Sequence, residues 1–141
     1  MTEDQLEKMC LEWFAEGGWQ VEQGVDIAPD GIRPERSNYK QVLLINDVEA
    51  AIRRINPQLP EAAVEQVVAI VSQPSSLDTV LNNQSFHRLL LDGVPVEYKV
   101  DDKVIYDQAF LIDFTSLEQN RFRAINQFTL EGSRQLRRPD I

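Results

Sequence analysis

The hydrophobic period of the chain changes at Asp92-Gly93, and this change decides which class of fold is available. Upstream, from Tyr39 to about Gly93, apolar residues recur at the spacing of one helix face, as in Val64, Val67, Val68 and Val71 of "LPEAAVEQVVAIVSQ". Asn56-Pro57 closes the segment "VEAAIRRIN", Pro60 suits a first helical position, and Pro74 breaks the second segment. Ser75 or Ser76 is expected to cap a third, through Leu77, Val80 and Leu81 to "FHRLLLDG". Downstream, "GVPVEYKV" alternates Val94, Val96, Tyr98 and Val100, Asp101-Asp102 marks a turn, and "KVIYDQAFLIDF" returns. "NRFRAINQFTLEG" alternates again, with Phe122, Ala124, Asn126, Phe128 and Leu130 on one side and Arg123, Ile125, Gln127 and Thr129 on the other.

The N-terminal segment is simpler. In "TEDQLEKMCLEWFAEGG", Thr2 and Gln5 have capping-box spacing, Leu6, Met9, Cys10, Trp13 and Phe14 form an apolar stripe, and Gly17-Gly18 stops the helix. "WQVEQ" then reads as a short strand with Trp19 and Val21 alternating against polar residues. Residues 24–38, rich in Pro, Gly and charge, read as an irregular loop. The order helix, strand, helical insertion at 40–92, then strands predicts an α+β domain. In it the N-terminal helix packs on a small mixed or antiparallel sheet.

A length of 141 residues suits one domain with one core. The lone Cys10 excludes a disulfide framework, and one Cys with one His speaks against a zinc site. An acidic, polar N-terminus is unlike a signal peptide, and no apolar run reaches the ~18 residues of a membrane span. An intracellular protein is therefore expected.

The net charge of -9 argues against a general nucleic-acid coat, but its distribution is uneven. Residues 1–120 carry nine Lys/Arg against 21 Asp/Glu, a balance of -12. Residues 121–141 carry five arginines against Glu131 and Asp140, a balance of +3. Arginine's planar fork matches phosphate oxygens, so this end can meet a polyanion; it can equally be a solvated loop that neutralises an acidic body.

Among the carboxylates, Glu7 lies about 100° around the helix from Leu6, at the edge of the apolar stripe, with Glu3 one turn earlier. A cation near such a pair would be welcome, and an amphipathic helix with acidic first turns is the plainer account. Asp140 follows Pro139, which fixes the backbone angle at which the carboxylate enters its segment. His87 reads as a partly buried packing residue, and Glu97, Asp107 and Asp113 as solvent-facing alternates on strands. Neither GxxxxGK[ST] nor GxGxxG occurs, so nothing here cradles a nucleotide phosphate.

Several segments taken in order carry a resemblance. They are "TEDQLEKMCLEWFAEGGW", "DIAPDGIRPERSNYKQVLL", "AIRRINPQLPEAAVEQVV", "NNQSFHRLLLDGVPVEY", "NQFTLEG" and "RRPDI". Over essentially its whole length the chain resembles the N-terminal region of the restriction (R) subunit of type I restriction-modification enzymes. That family is similar in core to the PD-(D/E)xK nucleases, which implies a partial restriction-endonuclease-like core here. The resemblance implies Mg²⁺-dependent hydrolysis of DNA, with the Asp of the motif at Asp140, the helix carboxylate at Glu7, and Glu3 as a second candidate. With DNA as the implied substrate, the basic cluster at this end makes Arg134, Arg137 and Arg138 candidate DNA contacts.

ATP is implied only for motor domains outside these residues, where it drives translocation along DNA. The implied partners are DNA and the modification and specificity subunits, with no membrane, in the cytoplasm. In the family a Glu-x-Lys strand follows the Asp, and none follows Asp140. The chain is thus expected to be a truncated part of the subunit, inactive alone. The alternative is a non-catalytic module whose helical insertion docks other subunits or contacts DNA.

Overall fold

Thr2 begins the first helix as its spacing predicts. Its hydroxyl accepts the Gln5 N–H at 3.3 Å while the Gln5 side chain accepts the Thr2 N–H at 2.9 Å. A computed structural model describes residues 1–141 as α+β, in two compact units, residues 1–44 with 121–141 and residues 45–120.

The first unit contains α1 (Glu3–Glu16), β1 (Gln20–Gln23), the single turn α2 (Gly24–Ile27), and, from the end of the chain, β4 (Arg123–Asn126) with the short pair β5 (Leu130–Glu131) and β6 (Leu136–Arg137). β1 and β4 pair in parallel with Gln20 opposite Arg123 and Gln23 opposite Asn126; β5 and β6 pair antiparallel. α1 packs against both β1 and β4. Its buried face differs from the expected stripe. Leu11 is buried and Glu7, Cys10 and Phe14 are half-buried, while Leu6 and Trp13 are about half exposed. On a helical wheel that face centres near 100° from Leu6, where Glu7 sits. The carboxylate is thus in the helix's packing face, because amide donors wait for it at the end of β4.

Trp19 is 37% exposed, and its ring lies between Phe14 and Phe122, with centroids 4.9 and 5.0 Å away. The alternation expected in "WQVEQ" is inverted at Glu22, which is buried at 9% exposure. The loop that follows explains it, since Arg33 Nη2 meets Glu22 Oε1 at 2.5 Å and Arg123 lies 3.6 Å from Oε2. The same loop is pinned by Arg36, 3% exposed, whose guanidinium lies 3.8 Å from the Phe128 ring centroid. Arg36 donates to the carbonyls of Thr129 and Gln41 at 2.9 and 3.2 Å, and burial holds its pKa below the usual arginine value.

The second unit holds α3 (Ile45–Ile55), α4 (Glu61–Ser72), α5 (Thr79–Asp92) and the hairpin β2 (Val94–Val100) with β3 (Lys103–Ala109). The helical stretch read at 40–92 does not stand apart from the strands after it. Ile52, Val64, Val67 and Val71 share one core with Val94, Val96 and Ala109, so the hairpin finds its apolar partner on the helices. Asp78, rather than Ser75 or Ser76, caps the start of α5 by accepting the Leu81 N–H at 3.0 Å. Gly93 ends that helix at φ 82°, and a Cβ there would stand 2.7 Å from the Ala109 carbonyl. Asp101 and Asp102, at φ 50° and 61°, form the hairpin turn. Asn56 ties α3 to the hairpin by exchanging two hydrogen bonds of 2.8 Å with the Phe110 backbone.

Candidate active site

β4 stops at Asn126, four residues short of Leu130, where the alternation read from the sequence ends. After Asn126 the backbone turns at Gln127, whose φ is 50°, in the left-handed region that non-glycine residues seldom occupy. Asn126 is buried, on the inward side where the alternation puts it. Its Nδ2 donates to Glu7 Oε1 at 2.6 Å and to Gln23 Oε1 at 2.8 Å, and its Oδ1 accepts the Gly24 N–H at 3.2 Å. Gln127 continues the pattern. Its Nε2 donates to Glu7 Oε2 at 2.6 Å, so each oxygen of the carboxylate holds one amide proton.

The main-chain N–H of Gln127 donates to the carbonyl of Asp140 at 3.1 Å. Glu7 and Asp140, separate candidates in the sequence, are therefore both bonded to one residue. Pro139 and Ile141, on either side of Asp140, line an open groove of about 380 Å³ with Phe14, Trp19, Ala124 and Ile125. Apolar contact thus seats the terminal segment beside β4, while Asp140 stays exposed. Glu3 is exposed in the first turn of α1, and it is Glu7 that reaches the end of β4.

No three His, Cys, Asp or Glu side chains converge on one point, so these residues build no complete metal cage. The candidate donors named from the sequence, Glu7, Glu3 and Asp140, are hard carboxylate oxygens. Such a set suits Mg²⁺, which takes one or two carboxylates and completes its octahedron with water and phosphate oxygens.

The five C-terminal arginines divide into two kinds. Arg123 points inward and binds Glu35 through two bonds, of 2.7 and 3.1 Å. That pairing holds the Glu35 carboxyl below its usual pKa, and Glu22 likewise raises that of Arg33. The other four C-terminal arginines are exposed, Arg121 before β4 and Arg134, Arg137 and Arg138 around the β5–β6 hairpin.

Outside this site, His87 is exposed rather than partly buried, because α5 buries no residue fully. Asp107 faces Tyr98, whose hydroxyl donates to it at 2.9 Å, and the Gln108 N–H, then Tyr98 and Gln58, hold its pKa down. Asp113 accepts the N–H groups of Thr115 and Ser116 at 2.9 and 2.8 Å, a turn-forming role, while Glu97 stays exposed. Glu97-Tyr98-Lys99 spells Glu-x-Lys, but it lies on β2 of the second unit with both charged residues exposed.

Asn126, Gln127 and Glu22 went unrecognised as site or network residues in the sequence. An asparagine on the inward side of an apolar alternation was the available signal for the first.

Comparison with known proteins gives a consistent result. The model of the family described as "Type I restriction enzyme R protein N terminus" matches residues 1–141. The chain is 33% identical over 142 residues to the "Type I restriction enzyme HindI endonuclease subunit" of Haemophilus influenzae, covering 100% of this chain and 14% of that protein. It is 28% identical over 139 residues to the "Putative type I restriction enzyme MjaIXP endonuclease subunit" of Methanocaldococcus jannaschii, covering 96% and 13%. The chain thus spans about one-seventh of the length of these relatives. No solved structure matches. No helix is long and apolar enough to cross a membrane. With a match from its first residue to its last, the chain belongs to the family of type I restriction enzyme R protein N termini.

Proposed function

We propose that this chain is the nuclease-bearing N-terminal region of a type I restriction endonuclease subunit, and that Glu7 and Asp140 form part of a Mg²⁺-dependent site for DNA phosphodiester hydrolysis. The observation that carries the reading is the double attachment of Gln127, to Glu7 through its side chain and to Asp140 through its backbone. In this reading Asp140 and Glu7 hold the ion, Glu3 adds negative charge one turn away, and Arg134, Arg137 and Arg138 receive DNA phosphates. A bound Mg²⁺ supplies Lewis-acid stabilisation of charge on the phosphoryl oxygens. The protein's own part is orientation: amide donors on both oxygens of Glu7 fix the plane of that carboxylate without neutralising it.

The 141 residues span about one-seventh of the length of the relatives, so the test is made in the complete subunit. Cleavage belongs to the complete subunit in the cytoplasm, with modification and specificity subunits and ATP-driven translocation. In that subunit Asp140→Ala should abolish DNA cleavage, a loss of at least a thousandfold or ~4 kcal/mol, while ATP hydrolysis stays near wild type. Undiminished cleavage would remove Asp140 from the site.

A second reading is favoured by one observation: residues 45–120 form a compact unit with its own core and none of the candidate site residues. That unit would serve docking to other subunits. Deleting it, with a short linker in its place, should then lower subunit assembly and leave metal affinity of the nuclease region intact.

A further inference from the structure

We infer that Gln127 is a positioning residue that sets the spacing between the two carboxylate-bearing segments, α1 with Glu7 and the terminal segment with Asp140. This rests on the reading of Glu7 and Asp140 as the metal-holding pair.

The argument begins from the backbone. Gln127 sits at φ 50°, a conformation for which glycine is the ordinary choice. A side chain kept in a strained conformation points to use of that side chain. The use is visible in the contacts: Nε2 reaches Glu7 Oε2 at 2.6 Å, and the N–H of the same residue reaches the Asp140 carbonyl at 3.1 Å. The left-handed turn sends the main-chain donor and the side-chain donor of one residue to two different segments. Because Asn126 already holds Glu7 Oε1, the bond from Gln127 fixes the rotation of the carboxylate plane as well as its position. A primary amide suits the task, since it donates a proton yet carries no charge. A lysine in its place would offset the negative charge that a cation needs, and a carboxylate would repel Glu7.

Gln127→Leu removes the side-chain donor and keeps the N–H to Asp140, whereas Gln127→Gly also relieves the strained backbone. In the complete endonuclease subunit, Mn²⁺ affinity is read by electron paramagnetic resonance of the free ion. The Mg²⁺ concentration for half-maximal DNA cleavage and the thermal unfolding midpoint are measured alongside. Both variants are expected to weaken Mn²⁺ binding by about tenfold and to raise the Mg²⁺ requirement in step. Gln127→Gly should do so without a lower unfolding midpoint. Glu7→Gln should weaken Mn²⁺ binding too, and Glu7→Gln with Gln127→Leu should be no worse than Glu7→Gln alone.

Wild-type Mn²⁺ affinity in Gln127→Gly, together with a loss in Glu7→Gln, overturns the positioning role and leaves the metal reading standing. Additive losses in the double variant overturn it as well, since the two residues then act apart. A silent Glu7→Gln removes the metal role of Glu7 and the inference with it.

Discussion

Asn126 and Glu7 lie 119 residues apart, and the Asn126 side-chain amide donates to the Glu7 carboxylate at 2.6 Å. This bond joins α1 to the end of β4, and Asn126, only 5% exposed, has little surface with which to find water instead. Its two other partners, Gln23 and Gly24, lie where β1 passes into α2, so one side chain fastens three elements. Asn126→Ala leaves those groups with buried, unmet hydrogen bonds and should destabilise the first unit by about 3 kcal/mol. Asn126→Asp keeps the shape but sets a carboxylate against Glu7, and should cost more. Both tryptophans, Trp13 and Trp19, lie in this unit, so urea unfolding followed by their fluorescence reads it directly.

Gly24 is required by the same junction. A Cβ there would stand 2.2 Å from the Asn126 carbonyl and 2.7 Å from that of Gln127, both backbone atoms that cannot swing aside. Gly24→Ala should therefore cost about 3 kcal/mol. It should also broaden the Asn126 side-chain amide signals in a nitrogen–proton spectrum, because the displaced strand end carries that side chain. An unshifted spectrum would show that the junction yields more easily than its close packing implies.

These residues show which parts of the molecule could be read in advance. The capping box at Thr2, the valine stripe of α4, the inward Val94 and Val96 and the Asp101-Asp102 turn were legible. Each is a local pattern with a local cause. The face of α1 was not, because an apolar stripe records where hydrophobic residues lie and Glu7 is held, half-buried, by partners more than a hundred residues away. Glu22 was hidden for the same reason: nothing in "WQVEQ" announces that Arg33 and Arg123 will close on it. The break at Gln127 was invisible to a period-two reading, which continues through any residue of acceptable character. Of the candidate site, Glu7 and Asp140 were named as separate candidates, but Asn126, bonded to Glu7, and Gln127, bonded to both, were read as ordinary strand positions.

The Glu35–Arg123 pair gives the first unit a pH dependence whose sign follows from the geometry. Arg123 lowers the folded-state pKa of Glu35 below its ordinary 4.5. The pair's contribution is therefore complete above that value and is lost as pH falls through the depressed folded-state pKa. At neutral pH, Glu35→Gln should cost roughly 1–2 kcal/mol, the carboxylate being partly exposed. The gap between wild type and variant should narrow as the medium is acidified below pH 4.5. Tryptophan-monitored urea titrations over that range test it, and a gap that widens on acidification would contradict the assignment.

Arg134, Arg137 and Arg138 differ from Arg123 in being uncommitted to a buried carboxylate, and the difference is measurable through salt. If each meets one DNA phosphate, each releases bound counterions, and together they contribute about 2.7 to the slope of log affinity against log salt. In the complete subunit, replacing all three by glutamine should flatten that slope by this amount and weaken binding similarly for every DNA sequence, since phosphate contacts carry no base information. Arg53→Gln is the control for loss of a paired arginine. It removes one positive charge from α3, where Arg53 is paired with Glu49 and Glu61, and should leave the slope unchanged. If the triple variant kept the full slope, the arginines would serve only to offset the -12 balance of residues 1–120. The DNA path would then have to be sought away from the β5–β6 hairpin.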